Sequence, residues 1–193
     1  SAVPILSDEA IFGLALEGHG SLAEAYASYT GYTLDDRDNL PRIAKFYKLQ
    51  RQKQALLAGS DFTHNDLRAD YLDFVRNFLF DYAAEQAVGG DTLDEAEDQF
   101  SHTTVSAFAS LLGYPQLDQG ARNPLLVLAN LPFRVFLTTS PYTFLEMALA
   151  TAGKTPLTTV IRWRQDLRDI IDPRNDDQDL DPMRPLVCHL FGL

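Results

Sequence analysis

The sequence predicts a mixed α/β protein in which a small parallel sheet of few strands follows a largely helical N-terminal half. Three observations lead there. Apolar residues recur at three and four positions over long stretches before residue 113. Short runs rich in strand formers appear at about 3–6, 133–139, 157–163 and 186–191. Between the second and third of these lies a helical segment, and strand, helix, strand at that spacing is a βαβ unit with a parallel pair and a right-handed crossover.

Taken in order, Val3-Pro4-Ile5-Leu6 is a short strand feeding a helix, with Ser7-Asp8-Glu9 suited to the helix N-terminus. That helix breaks at Gly18-His19-Gly20. Ser21 caps a second one through Tyr29, closed by Gly31. Pro41 sits near the start of a third helix over 41–58, with Ile43, Ala44, Tyr47, Leu56 and Leu57 as buried candidates. Thr63-x-x-Asp66 reads as a capping box for a helix on Leu67, Tyr71, Val75, Phe78, Leu79 and Tyr82, ended by Gly89-Gly90. One further helix is predicted over 92–112. Residues 124–129 allow one or two turns. After the strand at 133–139, Ser140-Pro141 reads as N-cap and first residue of a helix stopped by Gly153.

The chain has 193 residues, 46% hydrophobic and 22% charged, so one domain of ordinary size that folds by burial is expected. Sixteen Lys and Arg against 27 Asp and Glu leave a net charge of −11, which opposes binding to nucleic acid or anionic membrane. The longest unbroken apolar run, Leu125 to Ala129, is far short of the roughly 20 residues needed to span a bilayer. The start, Ser1-Ala2-Val3-Pro4, lacks a basic n-region, so no export signal is expected, and the single cysteine, Cys188, allows neither an intrachain disulfide nor a thiolate metal cluster. A cytoplasmic setting is the simplest expectation.

In an open parallel sheet, ligands collect beyond the carboxyl ends of the strands. Thr138, Thr139 and Ser140 fall there, and with the N–H groups of the following helix they could serve a ribose or a phosphate, or Ser140 could only cap that helix. His189 is either a general base or a residue hydrogen-bonded to a neighbouring loop. Arg162 and Trp163 could hold a ligand by charge and stacking, or Trp163 could cover the edge of the core. Seven aspartates between Gln165 and Pro182 lack the glycine and closing glutamate of a calcium loop, so they read as a solvated stretch. His19, His64 and His102 have no histidine three or four positions away, which leaves no metal pair.

The order of elements carries a resemblance. Leu131-Pro132, the strand to Thr138-Thr139-Ser140-Pro141-Tyr142, Gly153-Lys154-x-Pro156, Arg162-Trp163 and Arg184-Pro185-Leu186-Val187-Cys188-His189-Leu190-Phe191-Gly192 resemble the sirtuin-like domains of multidomain bacterial proteins. Pro4-Ile5-Leu6 stands where that family has the strand before its Gly-rich loop, and Asp36-Arg37-x-x-Leu40-Pro41 matches a recurring element. The resemblance implies a Rossmann-like sheet that binds NAD. In active members it implies cleavage of NAD to nicotinamide and ADP-ribose, often in defence against phage.

On that footing the candidate NAD-binding residues are Ser7, Thr138, Thr139, Ser140, Arg162 and Trp163, and the candidate catalytic ones are His189 and Ser140. The departures are equally specific. Ser7-Asp8-Glu9-Ala10 replaces the glycines that let backbone approach a pyrophosphate, and puts two carboxylates beside the phosphate position. Ser140 and Tyr142 replace the family's Asn and Asp. Phe191 stands where the family has a histidine before its strand-end glycine, and a phenyl ring moves no proton. These three losses predict a degenerate domain, with NAD binding weak or lost, acting as a nucleotide-sensing, regulatory or protein-interaction module. The alternative is an active NAD glycohydrolase. Because the family continues past that glycine, the resemblance also implies a C-terminal continuation or a protein partner covering an exposed strand at 186–191. The abundance of aromatic residues, 12 Phe and 8 Tyr, suits an interface as well as a core.

Overall fold

A computed structural model describes residues 2–16, 21–117, 123–161 and 181–190. The chain divides into two compact units, one formed by Ser1–Gly18 with Pro115–Leu193 and the other by His19–Tyr114. The first is α/β and the second is helical. No helix of the described residues is long and apolar enough to cross a membrane.

In the α/β unit, β1 (Ile5–Leu6), β2 (Val135–Thr138), β3 (Leu157–Val160) and β4 (Leu186–His189) form one sheet in the order β1-β2-β4-β3. Every pairing is parallel. The α/β class and the parallel sheet are those the sequence predicts, and each strand lies within its predicted run. The placement of the last strand differs. β4 is hydrogen-bonded to β2 on one side and β3 on the other, so it is interior, and the edges belong to β1 and β3. The reason is legible in its burial: Val187 and His189 are wholly buried and Cys188 nearly so, which suits a strand covered on both faces.

Helices α1 (Asp8–Ala15), α7 (Pro124–Asn130) and α8 (Phe144–Thr151) contact one another. Their apolar stripes, from Ile11 and Phe12 through Leu125 and Ala129 to Leu145 and Leu149, are buried. Ser7 caps α1, its Oγ accepting from the Ala10 N–H, and Asn123 caps α7 through the N–H groups of Leu125 and Leu126. Ser140 does not cap α8. That helix starts at Phe144, because the chain first makes a tight turn on Ser140, and its N-cap residue Thr143 makes no side-chain cap bond. Gly153 ends α8 at φ 78°, where a side chain would be strained, and Lys154 beside it donates to the Leu131 carbonyl at 2.7 Å. The Gly-Lys and Leu-Pro elements are therefore joined: the lysine ties the end of α8 to the approach of β2. Burial lowers the pKa of that amine.

The helical unit contains α2 (Leu22–Thr30), α3 (Leu40–Leu57), α4 (His64–Glu85), α5 (Gly90–Gln99) and α6 (Val105–Leu111). The Thr63/Asp66 capping box forms as the spacing predicts. The Asp-Arg-x-x-Leu-Pro element is a clasp. Arg37 donates to the Tyr32 carbonyl and Ser28 Oγ, Asp36 accepts from the Tyr32 hydroxyl and from Arg42, and Asn39 caps α3.

Three expectations need correction here. The single helix over 92–112 is two, because Thr103 Oγ1 donates back to the Gln99 carbonyl and Thr104 caps α6 through the Ala107 N–H. The α4 helix ends at Glu85, before the glycines, and Gly89 serves as N-cap residue of α5. Leu56 and Leu57, expected to be buried, are 77% and 82% exposed. Only Ile43 of the 18 residues of α3 is buried.

The centre of this unit is aromatic. The Tyr26 ring is wholly buried and meets Tyr29, Tyr47, Tyr71 and Phe74 at centroid distances of 6.1, 6.1, 5.1 and 4.9 Å. Its hydroxyl is buried with no hydrogen-bond partner among the described residues. Burial, with Tyr47 and Asp70 nearby, raises its pKa strongly, and burial together with Asp70 pushes Tyr47 up to about 12. Both phenols are protonated near neutral pH.

Candidate functional site

The carboxyl ends of β1, β2 and β4 bring together most of the residues singled out from the sequence. The parallel ladder sets their level, since Leu6 pairs with Thr138 and Thr138 with His189. Where β2 ends, its side chains fold back onto the backbone. Thr138 Oγ1 accepts from the Ser140 N–H at 3.0 Å, and Ser140 Oγ accepts from the Tyr142 N–H at 3.1 Å. Thr138 and Ser140 are each 1% exposed. Ser140 Oγ thus serves as a turn acceptor inside the protein.

Thr139 joins β2 to α1. Its N–H donates to the Leu6 carbonyl at 3.1 Å, and its Oγ1 accepts from the Asp8 N–H at 3.1 Å. A helix N-terminus offers free N–H groups to an anion. Here the first, on Asp8, goes to Thr139 Oγ1, and the third, on Ala10, goes to Ser7 Oγ. The helix also opens on two carboxylates, Asp8 and Glu9. An incoming phosphate would have to displace the protein's own hydroxyls and sit beside negative charge.

His189 lies at the end of β4 with no exposed surface. Nδ1 is 2.7 Å from the Ser140 carbonyl oxygen and Nε2 is 2.7 Å from Glu146 Oε1. A carbonyl only accepts, so Nδ1 carries a proton. Glu146 Oε1 also accepts from the Thr158 hydroxyl at 3.0 Å. A carboxylate on one side and a carbonyl on the other favour the protonated imidazolium. Burial by itself lowers the histidine pKa. The Glu146 carboxylate and the Ser140 carbonyl outweigh it, so the pKa stands above its ordinary value. Both ring nitrogens are occupied, and neither faces a free space in which a substrate proton could be taken. The second carboxylate oxygen of Glu146, Oε2, is buried without a hydrogen-bond partner among the described residues.

The structure therefore joins Thr138, Thr139, Ser140 and His189 into a hydrogen-bonded floor across three strand ends, with Ser7 at its edge as the cap of α1. Arg162, Trp163, Phe191 and Gly192 lie outside the described residues, as do His19 and the aspartates at 166–179. Asp181, the last of the acidic stretch, accepts from the N–H groups of Met183 and Arg184 and shapes the turn before β4. Among the described residues no group of three His, Cys, Asp or Glu could hold a metal ion. Cys188 is buried, which raises its thiol pKa and keeps it protonated.

Two participants escaped the sequence reading, Glu146 and Thr158. A signal for the first exists: Glu146 is the one charged residue in α8, whose neighbours are Leu145, Met147, Ala148 and Leu149. A lone carboxylate in an apolar helix needs a partner.

The floor also makes a prediction for Ser140. Ser140→Ala removes the acceptor of the buried Tyr142 N–H and should cost about 1–3 kcal/mol, measured as a lower urea midpoint. A variant as stable as the wild type would show that the turn does not depend on Oγ. No family model, curated protein or solved structure matches the chain.

Proposed function

We propose that the chain is a catalytically degenerate sirtuin-like domain that serves as a regulatory or protein-interaction module of a larger assembly. The observation that carries this reading is the state of His189. The only histidine at the strand ends among the described residues is wholly buried, with Ser140 O on one nitrogen and Glu146 on the other. A general base must reach the reacting group at about 3 Å, and this one is committed to the protein.

The phosphate end supports the same reading. Two of the first three N–H groups of α1 are bonded to Thr139 and Ser7, and Asp8 and Glu9 repel an anion. Of the roles the resemblance allows, nucleotide sensing is disfavoured by those filled donors. Phe191, where the family has its histidine, adds a third loss at sequence level.

A second reading has one observation in its favour. A carboxylate holding an imidazole is the orienting half of many acid–base sites, and Glu146 with His189 has that form. In that reading the pair is exposed by local movement, and Ser140, Thr138 and Thr139 meet the ribose of NAD. Nicotinamide release separates the two. Incubation of the purified protein with NAD should liberate no nicotinamide above the rate of a Glu146→Gln/His189→Phe control. Release that depends on His189 would establish the hydrolase.

A further inference from the structure

The α3 helix differs from the rest of the protein in two ways. It carries Arg42, Lys45, Lys48, Arg51 and Lys53 and no acidic residue, in a chain of net charge −11. It also leaves Leu49, Leu56 and Leu57 exposed at 59%, 77% and 82%.

Helical geometry orders these side chains. At about 100° per residue, Lys45, Leu49, Lys53 and Leu56 fall within an arc of about 80°, on the side away from the buried Ile43. The face is a ladder of alternating cation and leucine, with Leu49 and Leu56 seven residues apart. Two of the five cations have partners, Arg42 on Asp36 and Arg51 on Asp70. Lys45, Lys48 and Lys53 make no ion pair with any described residue. Leucines spaced this way on an open helix are unusual on a protein that presents no contact there.

The same unit carries the opposite pattern. The α5 helix has Asp91, Asp94, Glu95, Glu97 and Asp98 and no base. Asp91, Asp94, Glu95 and Asp98 recur at i, i+3, i+4 and i+7, so they share one face, while Ala96, the one buried residue of α5, points away. All four are exposed and none is ion-paired with a described residue.

We propose that the outer face of α3 is a docking surface for a second copy of this chain, and that it takes the acidic face of α5 of that copy. Reciprocal contact, α3 on α5 and α5 on α3, is the form a two-fold dimer requires. Charge complementarity fixes the choice of occupant: on a chain of net charge −11, this cationic ladder is a surface that attracts the acidic helix every other copy carries, locally offsetting the repulsion between copies. The leucines supply the apolar area that surface ion pairs alone do not. This inference does not depend on the proposed function.

Sedimentation velocity of the intact protein tests it. The wild type should pass from monomer to dimer with rising concentration at about 0.05 M salt, and return to monomer at about 0.5 M, where charges are screened over a few ångströms. Lys45→Glu/Lys53→Glu should be monomeric, and so should Asp94→Lys/Asp98→Lys, since each then opposes like charges. An equimolar mixture of the two variants should dimerise again, because each restores the other's complement on both faces. Unchanged far-UV circular dichroism of both variants ensures that loss of association is not loss of fold. A wild type that stays monomeric at every concentration and salt overturns the proposal. So does association that survives both charge reversals, or two folded variants that fail to associate when mixed.

Discussion

Glu146→Ala should destabilise the α/β unit by about 3–5 kcal/mol, the usual cost of removing one partner of a buried pair. The imidazole of His189 has no exposed surface and Glu146 is only 11% exposed, so water cannot replace the lost carboxylate. The hydroxyl of Thr158 loses its acceptor in the same step. The effect is read as a fall in the urea midpoint at unchanged slope. A loss below about 1 kcal/mol would place the pair with ordinary surface ion pairs and refute its buried, charged character.

The same pair sets a pH dependence. Because the folded pKa of His189 is raised above its ordinary 6.5, the protonated form is bound more tightly in the native state. Its stabilisation is full below about pH 6.5 and is lost as pH rises through the higher folded pKa. Wild-type stability should therefore decline across that window, and Glu146→Ala should flatten the decline, since burial then opposes the charge. Unfolding curves at several pH values check this. A wild-type stability that climbs with pH over that range would require a neutral His189.

Tyr26 has the second large effect, and two substitutions there should part company. Tyr26→Ala removes a wholly buried ring from the centre of four aromatic neighbours and should cost about 3–5 kcal/mol. Tyr26→Phe should be neutral or stabilising by about 1 kcal/mol, because the hydroxyl it removes is buried without a partner among the described residues. Thermal or urea unfolding of both variants decides the matter. A Tyr26→Phe protein as damaged as Tyr26→Ala would mean that the hydroxyl is hydrogen-bonded after all.

The strands were legible in the sequence because each is a compact apolar run with β-branched or aromatic residues, bounded by Pro, Gly or Thr-Thr-Ser. Their order was not. A βαβ pattern states that β2 and β3 are parallel, but nothing local says that β4 inserts between them; its interior place goes with burial on both faces, Val187 and His189 on one and Cys188 on the other. Helix caps at Ser7, Ser21 and Thr63 were legible because a hydroxyl or carboxylate before an apolar stripe has one common use. Ser140 followed by Pro141 has the same local signature, yet its hydroxyl serves Tyr142 in a turn and α8 starts later. Leu56 and Leu57 looked like core residues by type alone; hydrophobic character sets a preference for burial, yet both stay mostly exposed among the described residues.

The candidate site divides in the same way. That Thr138, Thr139, Ser140 and His189 would gather at the carboxyl edge follows from the direction of parallel strands. What they do there depends on partners remote in sequence. Glu146 reaches His189 across 43 positions and Thr139 reaches Asp8 across 131. Local pattern carries no record of such contacts. They convert a row of ligand-type side chains into a self-contained network: hydroxyls that could hold a phosphate hold α1, and an imidazole that could move a proton holds α8 to β4.

Calorimetric titration with NAD and with ADP-ribose tests the closure of that network most directly. No binding heat is expected for either at ligand concentrations up to about 1 mM, because two of the first three N–H donors of α1 are bonded to Thr139 and Ser7 and the helix opens on the carboxylates Asp8 and Glu9. Micromolar binding of ADP-ribose, weakened by Thr139→Val, would show that a nucleotide displaces these contacts and would contradict it.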